Sequence, residues 1–205
     1  MKRTSSDEST RERVLNAAEQ LFADRGYLGV SVRDITQHAN VNLGVIRYHF
    51  ESKESLFRAV LSRNAVAIQE QRLKALALLG DAPTLEQILR ALIEPFFAKN
   101  GRYKNFRKLF ARTVTDPTPE VRRAHLEVYN RDFSILPKTI AEFCSELTDQ
   151  DFSWRLMCLF GAMFFIEADS GKIDTIRKSQ FDTDPEASVK FVVNFLSAGL
   201  RAPAV

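Results

Sequence analysis

Arg33, Asn42, Arg47, Tyr48, His49 and Lys53 fall close together in the first quarter of the chain. They are cations and hydrogen-bonding groups rather than paired acids, nucleophiles or clustered metal ligands. Guanidinium and ammonium groups bind phosphate oxygens, and arginine or asparagine reads base edges by two-point hydrogen bonding, so the chemistry this set suits is recognition of nucleic acid. Tyr48 adds a hydroxyl suited to phosphate, and Lys53 a point charge. Each has an ordinary alternative: surface tyrosines pack half-buried, and surface lysines and arginines are usually solvated. A metal role for His49 is not expected, because only His38 and His125 remain and neither stands at ligand spacing.

Local sequence signals predict the elements that hold these groups. In Ser31-Val32-Arg33-Asp34 the serine can cap a helix and the carboxylate three residues on can answer the free amides, with Val32, Ile35 and Ala39 turned inward. His38-Ala39-Asn40-Val41-Asn42 then supplies two asparagines, which tolerate left-handed backbone and suit a turn around a buried Val41. A second short helix is predicted from about Leu43 to His49, followed by Ser52 as a cap for the next. Two such helices form a helix-turn-helix, whose second helix enters the DNA major groove, about 12 Å wide. Leu43, Gly44, Arg47 and Tyr48 are its outward residues, and Ser31, Arg33, Asn42, His49 and Lys53 complete the candidate DNA-binding set.

The order of capped helix, Val-Asn turn, Tyr48-His49-Phe50, Ser52-Lys53-Glu54 and Leu56-Phe57 resembles the TetR family of bacterial transcriptional regulators over roughly residues 9 to 60. Upstream, Arg13 to Phe22 followed by Arg25-Gly26-Tyr27 is similar to the family's first helix and glycine stop, with Val14, Ala17, Ala18, Leu21 and Phe22 as one apolar stripe. Leu43, Thr36 and Arg47 depart from the commonest family pattern and bear on which operator is read. In the resemblance, Lys53 faces the DNA backbone.

A chain of 205 residues, 45% hydrophobic and 27% charged, can bury a substantial core. The net charge of +3 is weak support for nucleic acid, since Asp24, Asp34, Glu51 and Glu54 offset nearby bases. Lys2, Arg3, Arg11 and Arg13 suggest a basic N-terminal arm. Cys144 and Cys158 show no metal or redox spacing, and the absence of an apolar leader or spanning segment points to the cytoplasm. No catalytic constellation or nucleotide loop stands out, so neither enzyme activity nor a cofactor is expected.

Beyond residue 57 helix follows helix, which predicts an all-α fold: a three-helix DNA-binding domain at 9–57 and a helical effector-binding and dimerisation domain at 58–205. Ser52 to Leu79 reads as one helix, and Thr84 caps the next, which is expected to bend near Glu94 at Pro95 and to end at Asn100-Gly101. Tyr103 to Val114 follows, then a helix opened by Thr118-Pro119 and kinked at Pro137. The last two run from about Asp149 to Ala168 and Asp184 to Leu200.

These last helices are apolar on more than one face and must be covered on all sides. Trp154, Cys158, Phe160 and Phe165 on one, and Val189, Val192, Val193 and Leu196 on the other, are candidates for a homodimer interface, with a thickly covered monomer as the alternative. The resemblance implies a four-helix dimer on a palindromic operator. Sixteen phenylalanines more commonly mean plain core, but the resemblance implies a repressor released by a small molecule. Phe96, Phe97, Phe106, Arg107, Phe110, Tyr129, Phe133, Met157 and Phe164 are candidate effector-pocket residues. Arg107, Arg112 and Arg155 would suit an anionic head group, and Trp154 to Leu200 resembles fatty-acid-responsive members. The competing functional reading is a helical protein-interaction module without operator binding.

Overall fold

Among the described residues, several helix starts follow local chemistry. The computed structural model describes residues 2–97, 103–168 and 184–203. Among them every regular element is helical. In order these are α1 (Lys2–Arg25), α2 (Val32–Ala39), α3 (Leu43–Phe50), α4 (Lys53–Ala77), α5 (Leu85–Ile93), α6 (Lys104–Thr115), α7 (Pro119–Val128), a π-turn (Tyr129–Phe133), α8 (Ile135–Ala141), α9 (Asp149–Ala168) and α10 (Pro185–Arg201). Thr84 closes a reciprocal cap with Gln87, and the Asp184 side chain accepts the amide of Ala187. None of the described helices is long and apolar enough to cross a membrane.

Two prolines act differently from the expectation. Pro95 ends α5 at Ile93 instead of bending it, and the chain continues as tight turns, with the amides of Phe96 and Phe97 donating to the carbonyls of Ile93 and Glu94 at 3.0 Å. The helix opened by Pro119 gives way to the π-turn before Pro137 is reached, so Pro137 sits in the first turn of α8, where its missing amide costs nothing. Asn100-Gly101, the expected stop, lies outside the described residues.

The chain divides into two compact units, and the division crosses α4 between Val66 and Ala67. The first unit takes residues 1–66 together with 104–131, so α6 and α7 cluster with α1, α2 and α3. The predicted stripe Val14, Ala17, Ala18, Leu21 and Phe22 is buried. Phe22, Tyr27 and Phe57 form an aromatic cluster with ring centroids 5.0 to 6.0 Å apart. Arg63 of α4 reaches Glu12 at 2.8 Å and Glu19 at 2.7 Å, and Asn64 shares Glu19 at 2.6 Å. From α6, Lys108 pairs with Asp24 at 2.8 Å and Arg112 donates to the Ala23 carbonyl at 3.0 Å. Arg123 of α7 donates to Glu54 at 3.2 Å.

The second unit contains residues 67–103 and 132–205. There α10 packs on α5 and α9, and α5 on α8. Val189, Val192, Val193, Leu196 and Leu200 form the buried face of α10. Four of the residues assigned to a dimer interface, Val189, Val192, Val193 and Leu196, are therefore core residues of their own unit. The outward apolar residues are Phe191 and Phe195, 73% and 69% exposed. On α9, Trp154, Met157, Cys158 and Phe165 are exposed and Phe160 is half-buried.

Arg155 also differs from its expected role. Its guanidinium donates to the carbonyls of Gly199, Leu200 and Pro203 at 2.8 to 2.9 Å, closing the C-terminal end of α10, where orphan carbonyls favour a cation. Arg112 does the same at the end of α1. A residue that sequence reasoning passed over, Arg72, is fully buried, donates from Nε to the Leu92 carbonyl at 2.7 Å, and has its pKa pulled down to about 9 by desolvation.

Glu86 at the start of α5 pairs with Arg201 at the end of α10, and the hydrogen bond from Arg201 holds its carboxyl at about 2, below the ordinary 4.5. A carboxyl depressed in this way stabilises the fold above its ordinary pKa, and that contribution disappears as the pH falls from 4.5 toward about 2. Glu86→Gln is expected to remove this part of the acid sensitivity. Urea midpoints of variant and parent should differ near neutral pH and converge across that window; a constant difference would contradict the assignment.

Candidate nucleic-acid interface

The candidate interface is built on the turn between α2 and α3. Before it, Gly26 takes a left-handed φ of +72°, and a Cβ on Gly29 would lie 2.4 Å from the Arg25 carbonyl oxygen, so both positions require glycine. The capping box predicted at Ser31 is present. The Ser31 hydroxyl accepts the Asp34 amide at 3.1 Å, and the Asp34 carboxylate accepts the Ser31 amide at 2.7 Å and its hydroxyl at 2.6 Å. These bonds lower the pKa of Asp34. Ser31 is thus engaged in starting α2, and both its donors are taken.

The two asparagines divide their work. Asn40 has φ of +51° and ends α2, its carbonyl accepting from Arg13 of α1 at 3.4 Å, while the Val41 amide returns to the Thr36 carbonyl at 3.0 Å. Thr36 is buried, its hydroxyl donating to the Arg33 carbonyl at 2.9 Å. Asn42 begins α3 in extended backbone but makes no side-chain cap, so its amide is left on the surface.

Ile46 and Phe50 bury α3 against the unit, at 3% and 5% exposure, while Leu43, Gly44, Arg47 and Tyr48 face outward. Tyr48 is 75% exposed. Arg33 is exposed on α2. His49 does not join the outward face but lies half-buried, its ring edge-on to Tyr48 at 4.8 Å. Glu51 ends α3 with φ of +64°. Ser52 then caps α4 by accepting the Ser55 amide at 3.0 Å. Lys53 is half-buried with Nζ 4.2 Å above the Tyr27 ring, and desolvation lowers its pKa. Val32, Leu43, Ile46, Arg47, Glu51 and Lys53 are among the residues around a cleft of about 410 Å³ on this face.

Of the basic arm, Arg11 lies over the Phe50 ring at 5.3 Å and beside Glu12, and Arg13 holds the turn. The side chains of Lys2 and Arg3 lie outside the described residues.

The nine effector-pocket candidates fall in different units. Phe106, Arg107, Phe110 and Tyr129 belong to the first, and Phe96, Phe97, Met157 and Phe164 to the second. The Phe133 side chain lies outside the described residues. Phe106 and Phe110 pack ring to ring at 5.4 Å, and Phe96 meets Phe97 at 5.4 Å and Phe164 at 6.1 Å, as core residues do. Met157, 67% exposed, lines no interior.

Comparison with known proteins gives two matches along the chain: "Bacterial regulatory proteins, tetR family" over residues 14–60, and "Tetracyclin repressor-like, C-terminal domain" over residues 90–199. The chain belongs to the TetR family. Similar family members include the HTH-type transcriptional repressor BepR of Brucella suis biovar 1 (strain 1330), 35% identical over 99 residues that cover 47% of each chain. The chain spans about half the length of the first curated relatives it matches. Among solved structures, the fatty acid degradation regulator FadR of Bacillus halodurans superposes with a TM-score of 0.72 at 19% identity, over 95% of this chain and 97% of that one. FadR of Bacillus subtilis in complex with stearoyl-CoA gives 0.69 at 18% identity, over 92% and 98%. These likenesses establish a TetR-like fold, a helix-turn-helix head with a helical C-terminal domain.

Because Ser31 is engaged as a cap, Ser31→Ala is expected to cost about 1 kcal/mol of stability. Urea denaturation followed by circular dichroism measures it; an unchanged midpoint would show that the cap contributes nothing.

Proposed function

We propose that this TetR-family protein binds a palindromic operator as a homodimer and represses transcription, in the cytoplasm, until a small hydrophobic or amphipathic effector releases it. The observation that carries the reading is the outward face of α3. Arg47 and Tyr48 stand exposed beside Asn42, Leu43 and Gly44, above a buried Ile46 and Phe50. Arg47 is assigned to a guanine edge or phosphate, Tyr48 and Lys53 to the phosphate backbone, and Arg33 and Asn42 to flanking contacts. DNA reading is assigned to residues 9–57, and pairing and effector binding to the remainder. An interaction module without operator binding is less favoured, because it gives no reason for this exposed face on a helix-turn-helix.

Pairing through α9 and α10 is supported by Trp154, Phe165, Phe191 and Phe195, which leave large apolar area in water. A symmetric pair presents two copies of α3 to a palindrome. The effector class rests on the stearoyl-CoA bound by the Bacillus subtilis neighbour. An effector need favour the non-binding state by only about 2 to 3 kcal/mol to weaken DNA binding tens of times.

Fluorescence anisotropy with operator duplex tests the reading. Tyr48→Ala combined with Lys53→Ala is expected to weaken binding at least tenfold and to flatten its salt dependence, with helix content unchanged. In the same assay, a long-chain acyl-CoA is expected to release the duplex. Unaltered retention by the double variant would sink the DNA assignment. Phe191→Glu with Phe195→Glu is expected to yield monomers in sedimentation; a persistent dimer would place the interface elsewhere.

A further inference from the structure

The reading face of α3 is not wholly polar. Leu43, its first residue, is 54% exposed, although Ile46 and Phe50 already supply the helix with its buried face. It borders the 410 Å³ cleft with Val32 half-buried and Ile46 buried behind it. A Cβ on the adjacent Gly44 would meet nothing within 4 Å, so the space next to Leu43 is open to an approaching group.

What could fill it is limited by charge. Arg47, Glu51 and Lys53 border the same cleft, two cations against one anion, whereas Leu43 carries neither charge nor hydrogen-bonding group. Phosphate is a partner for those cations, and Leu43 itself suits only an apolar group. In the major groove the apolar group a base edge presents is the 5-methyl of thymine.

We infer that Leu43 is a specificity-determining residue, receiving a thymine 5-methyl group against itself and the Val32 and Ile46 side of the cleft. The inference rests on the proposed operator binding. Arg47 lies one helical turn on, about 6 Å along the axis, close to two base-pair steps of about 3.4 Å. The thymine under Leu43 and the base under Arg47 thus belong to one half-site. Leucine contributes no hydrogen bond, so discrimination comes from the methyl group alone.

The test uses the full chain. A duplex is first selected from random DNA, and each thymine is then replaced singly by deoxyuridine, which removes only the methyl group. One position per half-site is expected to weaken binding about fourfold, the equivalent of roughly 0.8 kcal/mol for one buried methyl. Leu43→Ala, at an exposed site, is expected to keep its helix content and to bind both duplexes equally. Sensitivity at no thymine, or a penalty that persists in Leu43→Ala, would overturn the inference while leaving operator binding in place. Failure to select any duplex over random DNA would overturn the operator reading, and this inference with it.

Discussion

At Asn40 the backbone turns left-handed, the Arg13 guanidinium from α1 holds its carbonyl, and the next amide folds back onto Thr36. The direction in which α3 leaves α2 is set at this turn. If it opened, the outward side chains would keep their types but lose their common face. Asparagine tolerates the left-handed conformation at low cost because its short polar side chain hydrogen-bonds locally. The rest of the first unit reinforces the geometry. Ile46 and Phe50 seat α3, the Phe22, Tyr27 and Phe57 cluster ties α1 to α4, and Arg63 clamps the same two helices through Glu12 and Glu19. Contacts with DNA need side chains held to within a fraction of an ångström, and these interactions limit their drift.

The division of labour among polar groups follows from the same constraint. Ser31 and Ser52 satisfy helix starts, and Arg112 and Arg155 satisfy helix ends. Asn42, Arg47 and Tyr48 are instead left on the surface, with Arg33. A helix terminus left unanswered would destabilise the scaffold, whereas an outward side chain on α3 costs the fold little. Scaffold and reading residues can therefore be told apart by what each already bonds.

Much of this was legible in the sequence because it is local. The Ser31 and Asp34 pair, the glycine stop at Gly26, and the starts of α5, α7 and α10 each depend on residues within a few positions of one another. Partners far apart in the chain were not legible. Nothing near Arg155 announces that it will close α10, and Lys104 to Arg131 carries no local mark that it belongs with the first unit. The faces of α10 were misjudged for a related reason. A helix with apolar residues on several sides has no polar stripe to orient it, so Val192 and Phe191 look alike until their neighbours are known. Proline gave the place of the breaks at Pro95 and Pro137 but not their form, since a stop, a bend and a restart share one residue type.

The central claim is that two copies of the α3 face read the major groove of one palindrome. Protection of guanine N7 from dimethyl sulfate reports directly on that groove, with a selected duplex and the intact protein. The account predicts protected guanines in two half-sites related by a dyad, about 10 base pairs apart or a multiple of that. Uniform reactivity, or a single protected patch with no symmetric counterpart, would contradict it.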